Sequence, residues 1–215
     1  MPDRRFNMMT LGRASNWVYR KAMRWKAGRV LSRHSTPLKL HVGCGPKSFD
    51  GWVHLDAERA GPHVDVIWDL RWGLPCEENS CRFIYSEHVL EHLNVVDGLR
   101  FLRACHRCLA PDGVVRIAMP SLDVLIEKSA GPNWRDQDWL TWPAFQYIQT
   151  RAEMLNISFR AWGHQWLYDR VELHRRLKEA GFSRIVDCEW CSSGYDELRN
   201  REWRQESQLI CEASR

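Results

Sequence analysis

The side chains with chemical potential in this chain form an ordered series. Gly43-Cys44-Gly45 follows a short apolar run, and Asp56 ends the next one, eleven residues after Gly45. Glycines carry no Cβ, so a ligand can approach their backbone closely. A carboxylate at the tip of a second strand can accept hydrogen bonds from both hydroxyls of a ribose. A third run ends in Asp69-Leu70. There a carboxylate can accept from an adenine amino group, and the following N–H can donate to a ring nitrogen. A fourth run ends in Ser86-Glu87 and leads into His88-Val89-Leu90-Glu91-His92, and His164 stands far downstream. The series is the layout of a nucleoside-binding α/β domain and makes a cofactor-dependent enzyme the first hypothesis.

These residues need a sheet edge to hold them. The hydrophobic patterning predicts strands over 38–42, 52–56, 64–68, 82–86 and 113–118, with a last pair near 183–190 and 206–212. Strands and helices alternate, which predicts a Rossmann-like, mostly parallel seven-stranded sheet with helices on both faces. Asn94 with Asp97 is a start signal for a helix ending near Leu109. Asp169-Arg170-Val171-Glu172 reads as a capping box opening a helix that Gly181 stops. Pro111-Asp112-Gly113 reads as a turn feeding the fifth strand. Residues 120–168 break the alternation and hold Trp134, Trp139, Trp142, Phe145, Tyr147, Phe159, Trp162, Trp166 and Tyr168. An insertion leaving the carboxyl edge of the sheet can form a lid or acceptor wall, and its aromatic faces suit sugar rings or planar acceptors; the alternative is a packed helical cap.

The chain of 215 residues is long enough for one domain with a real core. We read residues 38–215 as that domain and residues 1–37 as a basic helical arm. The arm holds nine Lys/Arg against Asp3 alone, so it is +8, while the whole chain is +4 and the remainder −4. It also carries Trp17, Val18, Tyr19, Met23 and Trp25 in a loose helical stripe. Two readings follow: a helix packed on the domain with a solvated basic face, or peripheral contact of residues 1–33 with an anionic membrane. No apolar block resembles a signal peptide or a membrane span, which points to the cytoplasm.

Eight cysteines in such a chain are expected as thiols. The C-x-x-C pairs Cys105/Cys108 and Cys188/Cys191 fall in a helix and at a strand end rather than on tight turns. They read as small buried hydrophobes rather than zinc ligands. His88-Val89-Leu90-Glu91-His92 matches the H-x-x-E-H zinc-peptidase pattern, yet no third ligand is evident in sequence, and no metal is expected.

Taken in order, Gly43-Cys44-Gly45, Gly51-Trp52, Asp56, Asp69-Leu70, Ser86-Glu87-His88-Val89-Leu90-Glu91-His92-Leu93 and Leu109-Ala110-Pro111-Asp112-Gly113 resemble the class I S-adenosylmethionine-dependent methyltransferases, in particular the ubiquinone/menaquinone-type group. The resemblance covers roughly residues 38–120. It implies S-adenosyl-L-methionine as cofactor, with Gly43, Cys44 and Gly45 along its methionine part. It places Asp56 on the ribose, Asp69 and Leu70 on the adenine, and Ser86 and Glu87 toward the sulfonium and the acceptor. The chain departs from the family pattern at His41, where an acid often stands two residues before the first glycine.

An oxygen acceptor of a methyl group needs its proton removed, and His88, His164 and Glu87 are the candidate bases. The expected acceptor is a small or medium molecule, taken as a hydroxyl of a saccharide or glycolipid. The alternatives are a quinone or other aromatic acceptor, or a non-catalytic binding protein on the same fold. No Asn-Pro-Pro-Tyr follows the fourth strand, and no nucleic acid partner is expected.

Overall fold

The computed structural model describes residues 13–215, with side chains from Trp17 onward. The part of the basic arm before Arg13 lies outside the described residues. Seven strands form one sheet: β1 (Leu38–Val42), β2 (Val53–Asp56), β3 (Val66–Ile67), β4 (Cys81–Glu87), β5 (Leu109–Met119), β6 (Arg184–Asp187) and β7 (Leu209–Ser214). Their order is β3-β2-β1-β4-β5-β7-β6. β1 to β5 run parallel, and β7 is antiparallel to both of its neighbours. The helices are α1 (Arg13–Leu31), α2 (Val95–Cys108), α3 (Leu122–Ala130), α4 (Arg151–Arg160) and α5 (Arg170–Ala180).

Side chains alternate across a strand, so each face of the sheet collects every second residue. Leu38, Leu40 and Val42 of β1 enter the main core with Leu55, Ile84, Val115 and Ile117. Phe101, Leu102 and Cys105 of α2, Leu173 and Leu177 of α5, and Ala27 and Leu31 of α1 cover that face. The opposite face carries Trp52, Phe83, Tyr85 and Val114, packed under Phe49, Tyr195 and Leu198. Where helices were expected on both faces, this second layer is irregular chain from 44–52 and 188–207 with one 3-10 turn, Asp196–Leu198. The β1–β2 connection is too short to hold a crossover helix. His41 lies in this aromatic layer, 2% exposed, stacked on Phe49 with ring centroids 4.5 Å apart.

The start and stop signals act as the sequence implies. The Asn94 side chain accepts from the N–H groups of Val96 and Asp97, and Asp169 accepts from that of Glu172. Gly181 takes the left-handed conformation at φ 109° that ends α5. Glu172 itself turns to Arg175 and Arg176, so the reciprocal half of the expected capping box is not made. The Pro111-Asp112-Gly113 turn lies inside β5, where the register against β4 shifts between Cys81 and Phe83.

The C-terminal half of α1 docks on the core, whereas Trp17, Val18 and Trp25 stay exposed. Among the described residues no helix is long and apolar enough to cross a membrane. All eight cysteines are free thiols, and Cys105 and Cys108 are fully buried.

The aromatic segment leaves the sheet after β5 and returns at Tyr168. Ser121 and Tyr168 form a parallel bridge, and the N–H of Leu122 donates to the Tyr168 carbonyl at 2.9 Å. Between them Trp139, Ile148 and Met154 make a separate small core with Leu125, Trp134 and Phe145.

Candidate active site

In an open parallel sheet a ligand binds beyond the carboxyl ends of the strands, where the chain order reverses. Here the reversal lies between β1 and β4, and Gly43-Cys44-Gly45, Asp56 and Ser86 stand at that edge. Gly43 and Gly45 have φ of 64° and 51°, a region that suits glycine. A Cβ on Gly43 would strike Val89 Cγ2 at 2.2 Å, whereas one on Gly45 would meet nothing within 4 Å. The turn is therefore packed on one side and open on the other.

Asp56 braces the open side. Its carboxylate accepts from the Gly45 N–H at 2.8 Å and the Glu58 N–H at 3.1 Å. A carboxylate has about four lone-pair sites, so capacity for further donors remains. The Ser86 hydroxyl is fully buried and has no partner. Burial, with Asp56 next to it, pushes the Cys44 thiol up to about 12, so it stays protonated. Asp69 caps the turn Leu70–Trp72 and is forked by Arg71, at 2.9 and 2.6 Å, so part of its accepting capacity is in use. An open glycine turn, a carboxylate with spare lone pairs and an orphan hydroxyl on one edge fit a nucleoside with a polar tail.

A cavity of about 970 Å³ lies between the aromatic insertion and the loop before β7. His88, His92, His164, Trp139, Trp142, Trp162, Trp203 and Arg204 are among the residues that line it. His88 sits just past β4 with φ 52°, and its Nε2 is buried without a partner. Burial, with Arg204 nearby, holds its imidazole down at about 3, so the ring is neutral. His164 lies 5.1 Å from His92, centroid to centroid, and its Nδ1 is 2.8 Å from the Ser158 carbonyl. Because that carbonyl only accepts, Nδ1 carries the hydrogen and Nε2 the lone pair.

Glu87 departs from the expectation that it faces the acceptor. Its carboxylate accepts from the Ser207 hydroxyl at 2.6 Å and from the N–H groups of Arg204 and Trp203 at 3.2 and 3.3 Å. Those donors pull it onto the 203–207 loop, and the side chain serves as a fastening rather than a free base. His92 and Arg204 are cavity residues that the sequence reading did not assign. His92 had its signal in the H-x-x-E-H pattern, but nothing near Arg204 foretells its position, because it arrives from a remote loop.

A family model described as a methyltransferase domain matches residues 24–186. The chain belongs to that family. A methyltransferase domain on this sheet uses S-adenosyl-L-methionine as cofactor. Among solved structures, the methyltransferase fold recurs in an S-adenosylmethionine-dependent methyltransferase from Thermotoga maritima, at 14% identity and TM-score 0.50, over 92% of this chain and 91% of that one. An S-adenosylmethionine-dependent methyltransferase from Archaeoglobus fulgidus matches at 15% identity and TM-score 0.49, over 93% of this chain and 99% of that one. Phosphoethanolamine N-methyltransferase 2 from Haemonchus contortus, solved with phosphomonomethylethanolamine and S-adenosylhomocysteine, matches at 14% identity and TM-score 0.46, over 78% of this chain. The chain spans 38% of that protein's length. It spans 48% of a second methyltransferase, CurJ, which acts on carbon. No curated protein sequence matches this chain.

Proposed function

We propose that this methyltransferase acts on a hydroxyl of a saccharide or glycolipid-type acceptor seated in the cavity beside His88. One observation carries the reading: Trp139, Trp142 and Trp162 line the same cavity as His88, whose Nε2 has no partner. Indole faces pack well on the apolar faces of sugar rings, and a single convergent acceptor atom fixes orientation.

When bound, S-adenosyl-L-methionine supplies an activated methyl on a sulfonium sulfur. In this reading the open face of Gly45 leaves room for its methionine part, with Gly43 and Cys44 forming the turn. The spare lone pairs of Asp56 hold the ribose hydroxyls. Leu70 N–H and the remaining capacity of Asp69 address the adenine, and Ser86 donates its hydroxyl near the sulfur. His88 Nε2 accepts a hydrogen bond from the acceptor hydroxyl and so aligns its oxygen for in-line attack. A neutral imidazole with so low an affinity for protons does not ionise that hydroxyl beforehand. It would take up the proton that the hydroxyl oxygen loses on methylation, the methyl having left the sulfonium sulfur as a neutral thioether.

The exposed side of α1 supports the glycolipid half of the reading. Trp17, Val18 and Trp25 project among Arg20, Lys21, Arg24 and Arg29, with Lys21 over the Trp17 ring at 3.9 Å. Such a face suits an anionic lipid surface. Removing residues 1–33 would also remove Ala27 and Leu31 from the core, so the sharper test is Trp17→Ala with Trp25→Ala. We expect that pair to weaken binding to phosphatidylglycerol vesicles; unchanged binding rejects membrane contact.

Transfer of labelled methyl from S-adenosyl-L-methionine to mono- and oligosaccharides, a glycolipid and a quinol tests the acceptor. Transfer to a sugar hydroxyl, reduced at least about 100-fold by His88→Asn with S-adenosylhomocysteine binding intact, is the expected result. Transfer to the quinol alone overturns the saccharide reading, and no binding of S-adenosylhomocysteine overturns the cofactor site.

A further inference from the structure

Three ligand-type side chains converge beside the cavity: His92 and His164 line it, and Glu91 is buried behind them. Glu91 and His92 belong to the 3-10 turn Leu90–His92, and His164 is zipped onto that turn. The N–H groups of Gln165 and Trp166 donate to the Glu91 carbonyl at 2.8 and 3.2 Å, and the Gln165 side chain donates to the His92 carbonyl at 2.7 Å. One ligand atom from each of Glu91, His92 and His164 lies within 4.8 Å of the others.

Two further observations point to a missing partner. Glu91 is fully buried: His88 Nδ1 lies 3.3 Å from its Oε1 without meeting hydrogen-bond geometry, and Oε2 has no partner. An orphaned buried carboxyl is costly, and native proteins give such groups a partner or an ion. His164, meanwhile, is held as a metal-ligating imidazole is held: Nδ1–H on a backbone carbonyl, Nε2 free. Glu91 and His92 of the H-x-x-E-H pattern thus stand with His164, and not in the peptidase arrangement. His88 sits before the turn with positive φ, so His88 and His92 do not share a helix face.

We propose that Glu91, His92 and His164 bind a divalent transition cation, with an open coordination position facing the acceptor cavity. Two imidazoles and one carboxylate suit zinc, cobalt or manganese better than calcium or magnesium. Bonds of about 2.0–2.2 Å bring tetrahedral ligand atoms closer together than 4.8 Å, so the half-buried rings of His92 and His164 rotate inward on binding. His88 and Arg204 also face this group. Arg204 opposes a cation, but its guanidinium lies over the Trp203 ring, 4.6 Å from the centroid. That the open position receives the acceptor hydroxyl rests on the methyl-transfer reading above; the cation site stands without it.

Titration of the full chain with Co²⁺, read by visible absorption, and with Zn²⁺, read by calorimetry, tests the site. The half-exposed thiols Cys188 and Cys191 offer a competing pair, so the titration uses the Cys188→Ser/Cys191→Ser variant as background. We expect one equivalent bound and a tetrahedral or five-coordinate cobalt spectrum. Affinity should fall at least tenfold in Glu91→Gln and again in His164→Gln, with circular dichroism and S-adenosylhomocysteine binding retained. No cobalt spectrum, or equal affinity in His164→Gln, overturns the proposal. If Glu91→Gln does not fold, His164→Gln and His92→Gln decide alone. Cation binding without S-adenosylhomocysteine binding would sink the cofactor reading and leave the metal site standing, and the converse result would do the opposite.

Discussion

Glu87 at the end of β4 accepts a 2.6 Å hydrogen bond from the hydroxyl of Ser207, which joins the sheet edge to the loop that walls the cavity. Two backbone N–H groups of the same loop complete the grip. A hydrogen bond to a charged or partly buried carboxyl contributes about 1.5–3 kcal/mol. We expect Ser207→Ala to lower stability by about that amount in urea unfolding. Acceptor KM should rise while S-adenosylhomocysteine affinity stays constant. A variant as stable as the parent would show the contact to be incidental.

The two glycines of the turn should fail differently. Gly43→Ala adds a methyl where Val89 Cγ2 stands at 2.2 Å, on a backbone with φ 64°. It should destabilise the fold by more than the roughly 1–2 kcal/mol of left-handed strain alone. Gly45→Ala meets only the strain, because its surroundings are open. It should fold, yet bind S-adenosylhomocysteine at least about tenfold more weakly, since the added methyl occupies the ligand's side of the turn. Calorimetry on both variants, beside their melting curves, makes the comparison.

Arg116 is fully buried between Glu202 at 2.6 Å and Glu212 at 2.7 Å. The second oxygen of Glu202 accepts from the Cys191 N–H at 3.0 Å, so this cluster ties down the chain that covers the aromatic face. Arg116→Met would leave two buried carboxylates without their cation. A loss of about 3–5 kcal/mol in urea unfolding is expected. Replacing all three together with apolar residues should recover much of it.

His41 predicts an acid limb. Burial, then the neighbouring His54, lowers its folded value from 6.5 to about 3. A depressed folded value means the unfolded chain binds the extra proton first. The contribution is present above about 6.5 and is lost progressively as pH falls toward 3. His41→Phe keeps the stack on Phe49 and removes the unpartnered Nδ1. Melting curves between pH 7 and 4 should fall less steeply for the variant; parallel curves would place the acid sensitivity elsewhere.

The strands were legible because apolar alternation, turn glycines and caps such as Asn94 and Asp169 act over a few residues. So were the places of Asp56 and Ser86 at the carboxyl edge of the sheet, which follow from strand ends. His41 is an example of what local reading misjudges: by position it stands for a missing carboxylate, whereas its side chain lies in the aromatic layer stacked on Phe49. Glu87, His92, His164 and Arg204 show the other limit. Their roles depend on where the insertion and the loop before β7 meet, and that contact is set by packing between remote segments.

The segment from 122 to 167 leaves and rejoins the sheet side by side at Ser121 and Tyr168, is pinned again where Gln165 and Trp166 meet the turn Leu90–His92, and carries its own small core. On the proposed reading, the glycine turn with Asp56 and most of the aromatic wall of the cavity thus come from different lengths of chain. A lineage could exchange one recipient for another by rewriting that length alone, with the glycine turn, Asp56 and the sheet beneath them untouched.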